Sequence, residues 1–195
     1  MICGLVLAAG AGTRFAGTPA GPQSKLLAPL DGRPLLEHAV LAQCEVSELE
    51  RVVVVLGMCS EEVLASVRFG RAEPVVCSEW ARGQSASLRC GLGALPGAAK
   101  VIVTLGDEPR ITAAAIRRFV DLPPGARAVY DGRPGHPVVL GPAQIQALAA
   151  VSGDTGARDL LGSGPEVECS DLCSGRDVDT LDDLEEIRDE ARAVL

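Results

Sequence analysis

The 195-residue sequence predicts a single α/β domain, spanning residues 1–195, with a doubly wound and mostly parallel sheet. This length suits one hydrophobic core and is short for two. Hydrophobic residues make up 47% of the chain and aromatic residues only 3%, so the core must consist of Leu, Val, Ile and Ala, as in parallel sheets covered by helices. Apolar runs also alternate with helical patterns along the chain, which is the arrangement that produces parallel strands.

Unbroken apolar runs between turn signals predict the buried strands. They cover residues 2–8, 51–57, 73–77 and 100–105. Residues 127–130 and 137–140 flank a turn at 131–136 and predict a strand pair, which introduces one antiparallel strand. A last strand is predicted at 167–172.

Helices are predicted between these strands from their caps, proline starts and apolar stripes. Pro34 suits the start of a helix because its φ is fixed, and Leu36, Val40 and Cys44 then share one buried face. The pattern Thr180-x-x-Asp183 resembles a capping box and predicts a final helix. The other predicted helices cover 60–67, 85–95, 112–120, 142–151 and 155–161.

The charge and cysteine content argue against several classes of protein. A net charge of −8 repels nucleic acid and anionic membranes, so we expect neither as a partner. The seven cysteines contain no Cys-x-x-Cys pair and the two histidines lie near none of them, which argues against zinc and iron–sulfur sites and favours a reduced, cytoplasmic chain. The apolar start lacks a basic leader and runs directly into a glycine turn, so it predicts a first strand rather than a signal peptide.

The loop after the first predicted strand is the strongest local signal for a ligand site. Gly10 and Gly12 let backbone N–H groups approach phosphate oxygens closely. Phe15 stands where a dinucleotide-binding loop has its third glycine, and the Gly-Lys-Ser/Thr of a P-loop does not occur. Arg14 within the loop and Lys25 after it suit a triphosphate whose leaving pyrophosphate must be neutralised. The alternative is a plain strand-to-helix turn with solvated charges.

A second signal is the carboxylate that follows the strand predicted at 100–105. In a doubly wound sheet, Asp107 would lie at the same edge as the glycine loop. Mg²⁺ usually takes one or two protein carboxylates plus phosphate oxygens, so Asp107 is a candidate ligand. The alternative is that Asp107 caps the turn before the next helix. Glu108 is expected to be a neighbour rather than a ligand, because adjacent side chains leave a strand end in different directions.

Several motifs in register resemble those of one enzyme family. They are LAAGAGTRF at 7–15, KLL at 25–27, GRPLL at 32–36, GQSASLRCGL at 83–92, GDEP at 106–109, GHPVVL at 135–140 and GDTGAR at 153–158. This set is similar to the MobA-like nucleotidyltransferases, and within them most to molybdenum cofactor cytidylyltransferase. The resemblance implies a Rossmann-like, glycosyltransferase-A-like nucleotidyltransferase fold.

The reaction implied by this resemblance is attack of an acceptor's terminal phosphate on the α-phosphate of a nucleoside triphosphate, with loss of pyrophosphate. The protein then supplies positioning and charge. Catalysis is assigned to Arg14, Lys25 and Asp107. The implied nucleotide-binding residues are Leu7, Ala8, Ala9, Gly10, Gly12, Arg14, Lys25, Gly83, Ser87 and Asp107.

The implied cofactor is Mg²⁺, held by Asp107 and by a second carboxylate from the distant segment 177–180. Asp179 is the first candidate for that carboxylate and Asp177 the second; acids before a helix are also favourable caps, which is the alternative. His136 and Arg158 are implied to bind the acceptor. Their alternatives are a turn residue in a hairpin and a surface arginine.

The sequence departs from the family pattern at three places. Phe15 replaces the usual methionine after Arg14, the segment 18–24 lengthens the spacing before Lys25, and Glu108 replaces the usual glutamine after Asp107. The last change adds a negative charge beside the predicted metal site.

The choice of substrates rests on Ala8-Ala9-Gly10 and on the segments around Ser87 and His136, which look like the cytidine branch of the family. CTP is therefore expected as donor and a pterin, molybdopterin, as acceptor, with transient contact to a molybdoenzyme or its chaperone. The alternatives are a guanylyltransferase for the same pterin, a transferase for another phosphorylated acceptor, a non-catalytic nucleotide-binding module and a nicotinamide-dependent oxidoreductase. The missing third glycine and the cations of the loop argue against the last.

Overall fold

The computed structural model describes residues 1–10, 12, 15, 24–148, 162 and 164–193, which form a seven-stranded sheet with helices on both faces. The strands are β1 (Ile2–Ala8), β2 (Pro29–Leu30), β3 (Arg33–Pro34), β4 (Arg51–Leu56), β5 (Glu73–Val76), β6 (Lys100–Leu105), β7 (Arg127–Tyr130), β8 (Arg133–Leu140) and β9 (Glu166–Glu168). The helices are α1 (Leu35–Cys44), α2 (Ser60–Ser66), α3 (Gln84–Gly93), α4 (Ala113–Arg117), α5 (Pro142–Ala147) and α6 (Leu181–Ala193).

The sheet has the order β5-β4-β1-β6-β8-β7-β9, with β2 and β3 in a separate hairpin. β1 is central and parallel to both neighbours, so that Leu5 pairs with Val53 on one side and Val103 on the other. β8 runs antiparallel to β6 and to β7, while β7 and β9 are parallel. The predicted doubly wound, mostly parallel sheet with one antiparallel strand is confirmed.

The hairpin between β7 and β8 is tighter than the sequence predicts. Tyr130 pairs directly with Arg133, and the turn consists of Asp131 and Gly132, both with positive φ (49° and 77°). This is the two-residue turn that Asp-Gly favours, because its twist matches that of the strands. The prediction of a turn over 131–136 was wrong, because β8 begins at Arg133 and continues through Pro134 and Pro137.

The helices agree with the prediction except at their ends. Thr112 caps α4 by accepting a hydrogen bond from the backbone N–H of Ala115 (3.2 Å), but α4 ends at Arg117 rather than near 120. The helix predicted at 155–161 lies outside the described residues. None of the helices in the described part of the chain has the length and hydropathy that a bilayer span requires.

The close contact of α3 with the sheet positions the start of this helix over the strand ends. A Cβ at Gly91 would lie 2.5 Å from Leu5 Cδ1 and 2.7 Å from Val55 Cγ2, so a glycine is needed at this crossing. α3 therefore lies directly on β1 and β4, and its first turn, with Ser87, comes to the carboxyl edge of the sheet.

A third apolar cluster ties the glycine loop to the C-terminal segment. It consists of Phe15, Ala28, Leu30, Leu35, Val178, Leu184 and Ile187. The backbone N–H of Val178 also donates to the carbonyl oxygen of Asp107 at 2.9 Å. The chain before α6 therefore returns to the end of β6, although about 70 residues separate them in sequence.

Candidate active site

Three charged side chains from distant segments converge beyond the carboxyl end of β6. Lys25 Nζ lies 2.6 Å from Asp107 Oδ2 and 3.0 Å from Asp179 Oδ1. Lys25 follows the glycine loop, Asp107 follows β6 and Asp179 precedes α6. Their side chains are 10%, 21% and 27% exposed, so the cluster lies at the edge of the protein interior. Lys25 and Asp107 were predicted to share one site, the resemblance added Asp179 ahead of Asp177, and the structure brings Lys25, Asp107 and Asp179 together.

The electrostatics of this cluster favour a charged lysine. Burial is the largest single influence on Lys25 and by itself lowers its pKa. The negative charges and hydrogen bonds of Asp107 and Asp179 together outweigh burial, so the pKa of Lys25 is raised above its usual value. A protonated Lys25 therefore bridges two carboxylates, and one negative charge remains uncompensated within the trio.

The donor set of the cluster fits a divalent cation that shares its coordination with phosphate. Asp107 and Asp179 each place one carboxylate oxygen within hydrogen-bond distance of Lys25 Nζ, so the two carboxylates lie close together. Within the described residues, no three or more His, Cys, Asp or Glu side chains cluster closely enough to hold a metal ion by themselves. Two carboxylates without a third protein ligand are what Mg²⁺ uses when phosphates and water complete its shell.

A cavity of about 350 Å³ lies next to the cluster, over the ends of β1 and β6. Its lining consists of Leu7, Ala9, Gly10, Trp80, Ala81, Gly83, Gln84, Ser87, Leu105 and Asp107. Most of the residues that the resemblance assigns to the nucleotide are therefore on its wall. We call it the first cavity.

Trp80 closes one side of the first cavity and was not predicted there. A Cβ at Gly57 would lie 2.8 Å from Trp80 Cβ and 2.4 Å from the carbonyl oxygen of Ala9. The absence of a side chain at Gly57 thus lets the indole pack against the strand ends. The sequence shows that Trp80 lies shortly before Gly83 and the start of α3, but no local pattern predicts the orientation of its ring.

Three of the described residues that were predicted to bind the nucleotide lie off the wall of the first cavity: Ala8, Gly12 and Lys25, the last of which belongs to the charged cluster. Ala8 is buried on the opposite face of β1, where a Cβ at Gly106 would lie 2.8 Å from its own Cβ, because successive side chains of a strand alternate between faces. Gly12 has φ of 58° and accepts a hydrogen bond from Phe15 N–H, as expected of a tight turn beside Lys25. Arg14 lies outside the described residues.

A larger cavity of about 830 Å³ lies on the other side of Leu105, which lines both cavities. Its further lining is Glu108, Tyr130, Asp131, Arg133, Pro134, Gly135, Ser170, Cys173, Ser174, Gly175, Arg176, Asp177 and Asp183. These residues come from the end of β6, from the β7–β8 hairpin and from the segment 170–183. We call it the second cavity.

Glu108 and His136 form a buried pair behind the second cavity. Their side chains are only 6% and 4% exposed, and His136 Nδ1 lies 3.1 Å from Glu108 Oε1. Burial raises the pKa of the Glu108 carboxyl, and His136 lowers it only in part. The His136 ring contacts Glu108, whereas Glu108 and Gly135 line the cavity, and the predicted contact of His136 with an acceptor stays a prediction.

The arrangement of a glycine loop, a cation–carboxylate cluster and two adjoining cavities can be compared with known proteins. A family model of the MobA-like NTP transferase domain matches residues 4–168. The chain belongs to the MobA-like NTP transferase family. Membership implies an enzyme with a nucleoside triphosphate as substrate.

Individual relatives of this MobA-like protein match nearly the whole chain. Nicotine blue oxidoreductase of Paenarthrobacter nicotinovorans is 33% identical over 198 residues, which cover 94% of each chain. The crystal structure of Rv0371c from Mycobacterium tuberculosis H37Rv is 30% identical and covers 96% of this chain and 97% of that one, with a TM-score of 0.80. Rv0371c has also been solved in complex with manganese, in a structure with a TM-score of 0.77, 26% identity and coverage of 96% and 98%.

The fold is shared more widely than the sequence. A nucleotidyl transferase from Methanothermobacter thermautotroptrophicus has a TM-score of 0.81 over 100% of this chain and 99% of that one, at 24% identity. Such neighbours support the predicted nucleotidyltransferase fold of the MobA-like chain. Arg158, like Arg14, lies outside the described residues, so its predicted contact with an acceptor stays a prediction.

Proposed function

We propose that the chain is a Mg²⁺-dependent nucleotidyltransferase that moves CMP from CTP to the terminal phosphate of molybdopterin and releases pyrophosphate. The observation that carries the proposal is the convergence of Lys25, Asp107 and Asp179 between the two cavities. A donor phosphate placed there has a cation for the leaving group on one side and an acceptor cavity on the other.

The chain's own residues position and neutralise the reacting phosphates. The backbone of Gly10 and Gly12 holds the triphosphate, and Lys25 and Arg14 offset the charge that develops on pyrophosphate. Asp107 and Asp179 would hold Mg²⁺, which when bound supplies positive charge at the transferred phosphate. Lys25 is oriented by the same two carboxylates, so it stays charged and fixed before the substrate arrives.

The preference for CTP is supported by the size and lining of the first cavity. Its volume of about 350 Å³ lies near the lower end of ligand sites, which range from about 300 to 1,000 Å³. Ala9 and Trp80 narrow it from two sides. Pocket size alone discriminates by only about 1–3 kcal/mol, so hydrogen bonds to the base must contribute the rest. The guanine nucleotide is the alternative donor.

The test of the proposal is incubation of the full chain with each of the four triphosphates, molybdopterin and Mg²⁺, followed by pyrophosphate detection and mass spectrometry. The expected product is the cytosine dinucleotide of the pterin, and CTP should outcompete GTP at equal concentration. A preference for GTP would assign the chain to guanylyl transfer. If pyrophosphate is released only with another phosphorylated acceptor, molybdopterin is not the acceptor. If there is no turnover with any acceptor, the chain is not a nucleotidyltransferase.

A second candidate function is oxidoreduction, which is favoured by the 33% identity to nicotine blue oxidoreductase over 94% of both chains. The direct test is reduction of nicotine blue by NADH or NADPH with the full chain. Electron transfer at a rate that Asp107→Asn leaves unchanged, with no pyrophosphate release, would favour this function over the first. The loop after β1 argues against it, because Phe15 replaces the third glycine of a dinucleotide fingerprint.

A further inference from the structure

The Glu108 carboxylate presents one oxygen that lacks a partner. His136 engages Oε1, but Oε2 is fully buried and has no hydrogen-bond partner among the described residues. Leaving a buried charged oxygen unpaired costs about 1–3 kcal/mol or more. Buried polar groups are otherwise almost always satisfied, so an unsatisfied one at the edge of a cavity indicates a group that a ligand completes.

The wall around this oxygen is closely packed. The Tyr130 ring lies between two glycines: a Cβ at Gly135 would be 2.8 Å from the ring and one at Gly175 would be 2.2 Å from Cε2. The Tyr130 hydroxyl donates to the carbonyl oxygen of His136 at 2.6 Å, and burial raises the pKa of this phenol. The tyrosine therefore fixes the backbone of the residue that orients Glu108.

The charges of the second cavity favour donors over a further anion. Its lining carries four carboxylates, Glu108, Asp131, Asp177 and Asp183, and two guanidinium groups, Arg133 and Arg176. Arg176 already pairs with Glu186, outside the lining. This excess of hydrogen-bond acceptors suits a neutral or cationic group that carries N–H donors, and it would repel a further phosphate.

We propose that the second cavity binds a planar heterocycle of the acceptor substrate, whose ring N–H donates a hydrogen bond to Glu108 Oε2. This inference rests on the proposed transfer reaction and deepens it. His136 and Tyr130 act as positioning residues, since His136 contacts the carboxylate and Tyr130 holds the backbone of His136. The acceptor's phosphate then lies toward Asp107, one residue along the chain from the group that recognises its ring.

The experiment measures binding of free pterin, followed by its own fluorescence, against an analogue methylated at N3 and on the 2-amino group. Wild-type protein should bind pterin roughly tenfold or more tightly than the analogue, as expected for a hydrogen bond to a charged acceptor. Glu108→Met, which removes both oxygens at similar volume, should reduce this ratio to near one. Glu62→Met, the same substitution at an exposed residue of α2 that lines neither cavity, is the matched control and should keep the ratio.

Several outcomes would overturn the proposal. They are equal binding of both ligands by the wild-type protein, no binding of pterin, or an undiminished ratio in Glu108→Met. If Glu108→Met does not fold, Glu108→Gln is measured instead, because its amide nitrogen takes the place of Oε2 while its oxygen accepts from His136. CTP binding is measured separately in every variant: absence of pterin discrimination in the wild type, with normal CTP binding, refutes only this inference, and absence of CTP binding in the wild type refutes the proposed function.

Discussion

Replacing Lys25 with methionine should make the stability of the protein depend on a divalent cation. Lys25 separates two carboxylates that both lie within 3.0 Å of its Nζ. Two unit charges about 6 Å apart repel by about 3 kcal/mol at the effective dielectric constant of a protein surface. Asp107 and Asp179 are 21% and 27% exposed, so solvent screening reduces the repulsion to about 1–2 kcal/mol.

The assay is thermal unfolding in EDTA and in millimolar Mg²⁺ or Mn²⁺. In EDTA, Lys25→Met should melt about 2–8 °C below the wild type, which is the shift that 1–2 kcal/mol produces in a domain of this size. The cation should restore most of this loss, because it replaces the ammonium between the carboxylates. The wild type should respond less, since its own lysine already lies between the two carboxylates and offsets one of their charges. Turnover of the variant should stay low in both conditions.

The matched control is the double variant Lys25→Met with Asp107→Asn, in which no pair of like charges remains. It should melt near the wild type in EDTA and respond little to the cation. An equal response to the cation in the wild type, the single variant and the double variant would refute the reasoning. So would a Lys25→Met protein that is as stable as the wild type without metal.

Four further predictions test other parts of the site. Asp107→Asn should reduce turnover by about a hundredfold or more at an unchanged melting temperature, the size of loss seen when one strong transition-state contact is removed; near-normal turnover would contradict the metal assignment. Arg14→Ala should weaken triphosphate binding and rate, and Arg14→Lys should rescue only in part, because lysine lacks the bidentate fork; unchanged kinetics would reduce the loop to a turn. CTP should change the fluorescence of Trp80, the only tryptophan of the chain, and a titration without a signal would place the base elsewhere. Gly175→Ala should lower the free energy of unfolding by about 1–3 kcal/mol, since its Cβ would overlap the Tyr130 ring, and an unchanged denaturation midpoint would show that the ring can move.

Much of the fold and the centre of the site could be predicted from local patterns. The apolar runs of β1 and β6 have the lengths and endings of buried parallel strands, and their carboxyl ends must share an edge. This fixes Gly10 and Asp107 relative to each other without knowledge of other contacts. Asp179 needed the resemblance as well, because nothing local says that the segment before α6 pairs its backbone with Asp107.

The parts that escaped prediction depend on contacts between distant segments. Glu108 was expected to be only a neighbour of the metal ligand, yet its partner is His136 on a strand that pairs with β6 in the antiparallel direction. The pattern of β8 was interrupted by prolines, so the strand was predicted too short and His136 was placed in a turn. The orientation of Trp80 and the packing of Tyr130 against two glycines depend on the space that glycines leave in the folded protein. The hydrophobic periodicity of the sequence does not predict such space.

The cost of the Lys25 cluster bears on the choice between the two candidate functions. Three charged groups are withdrawn partly from water, and burial acts against the charge on Lys25. Such an arrangement is not needed for stability alone, since replacing buried ion pairs by apolar side chains is often neutral or stabilising, and a reaction in which charge moves gives it a role. In nucleotidyl transfer, negative charge accumulates on the leaving pyrophosphate beside this cluster, and a fixed cation there stabilises the transition state. Hydride transfer leaves no pyrophosphate to neutralise, so it gives the two carboxylates and the lysine no comparable role. The geometry therefore favours nucleotidyl transfer. An oxidoreductase activity of this chain would leave the charges of the Lys25 cluster without a role in the reaction.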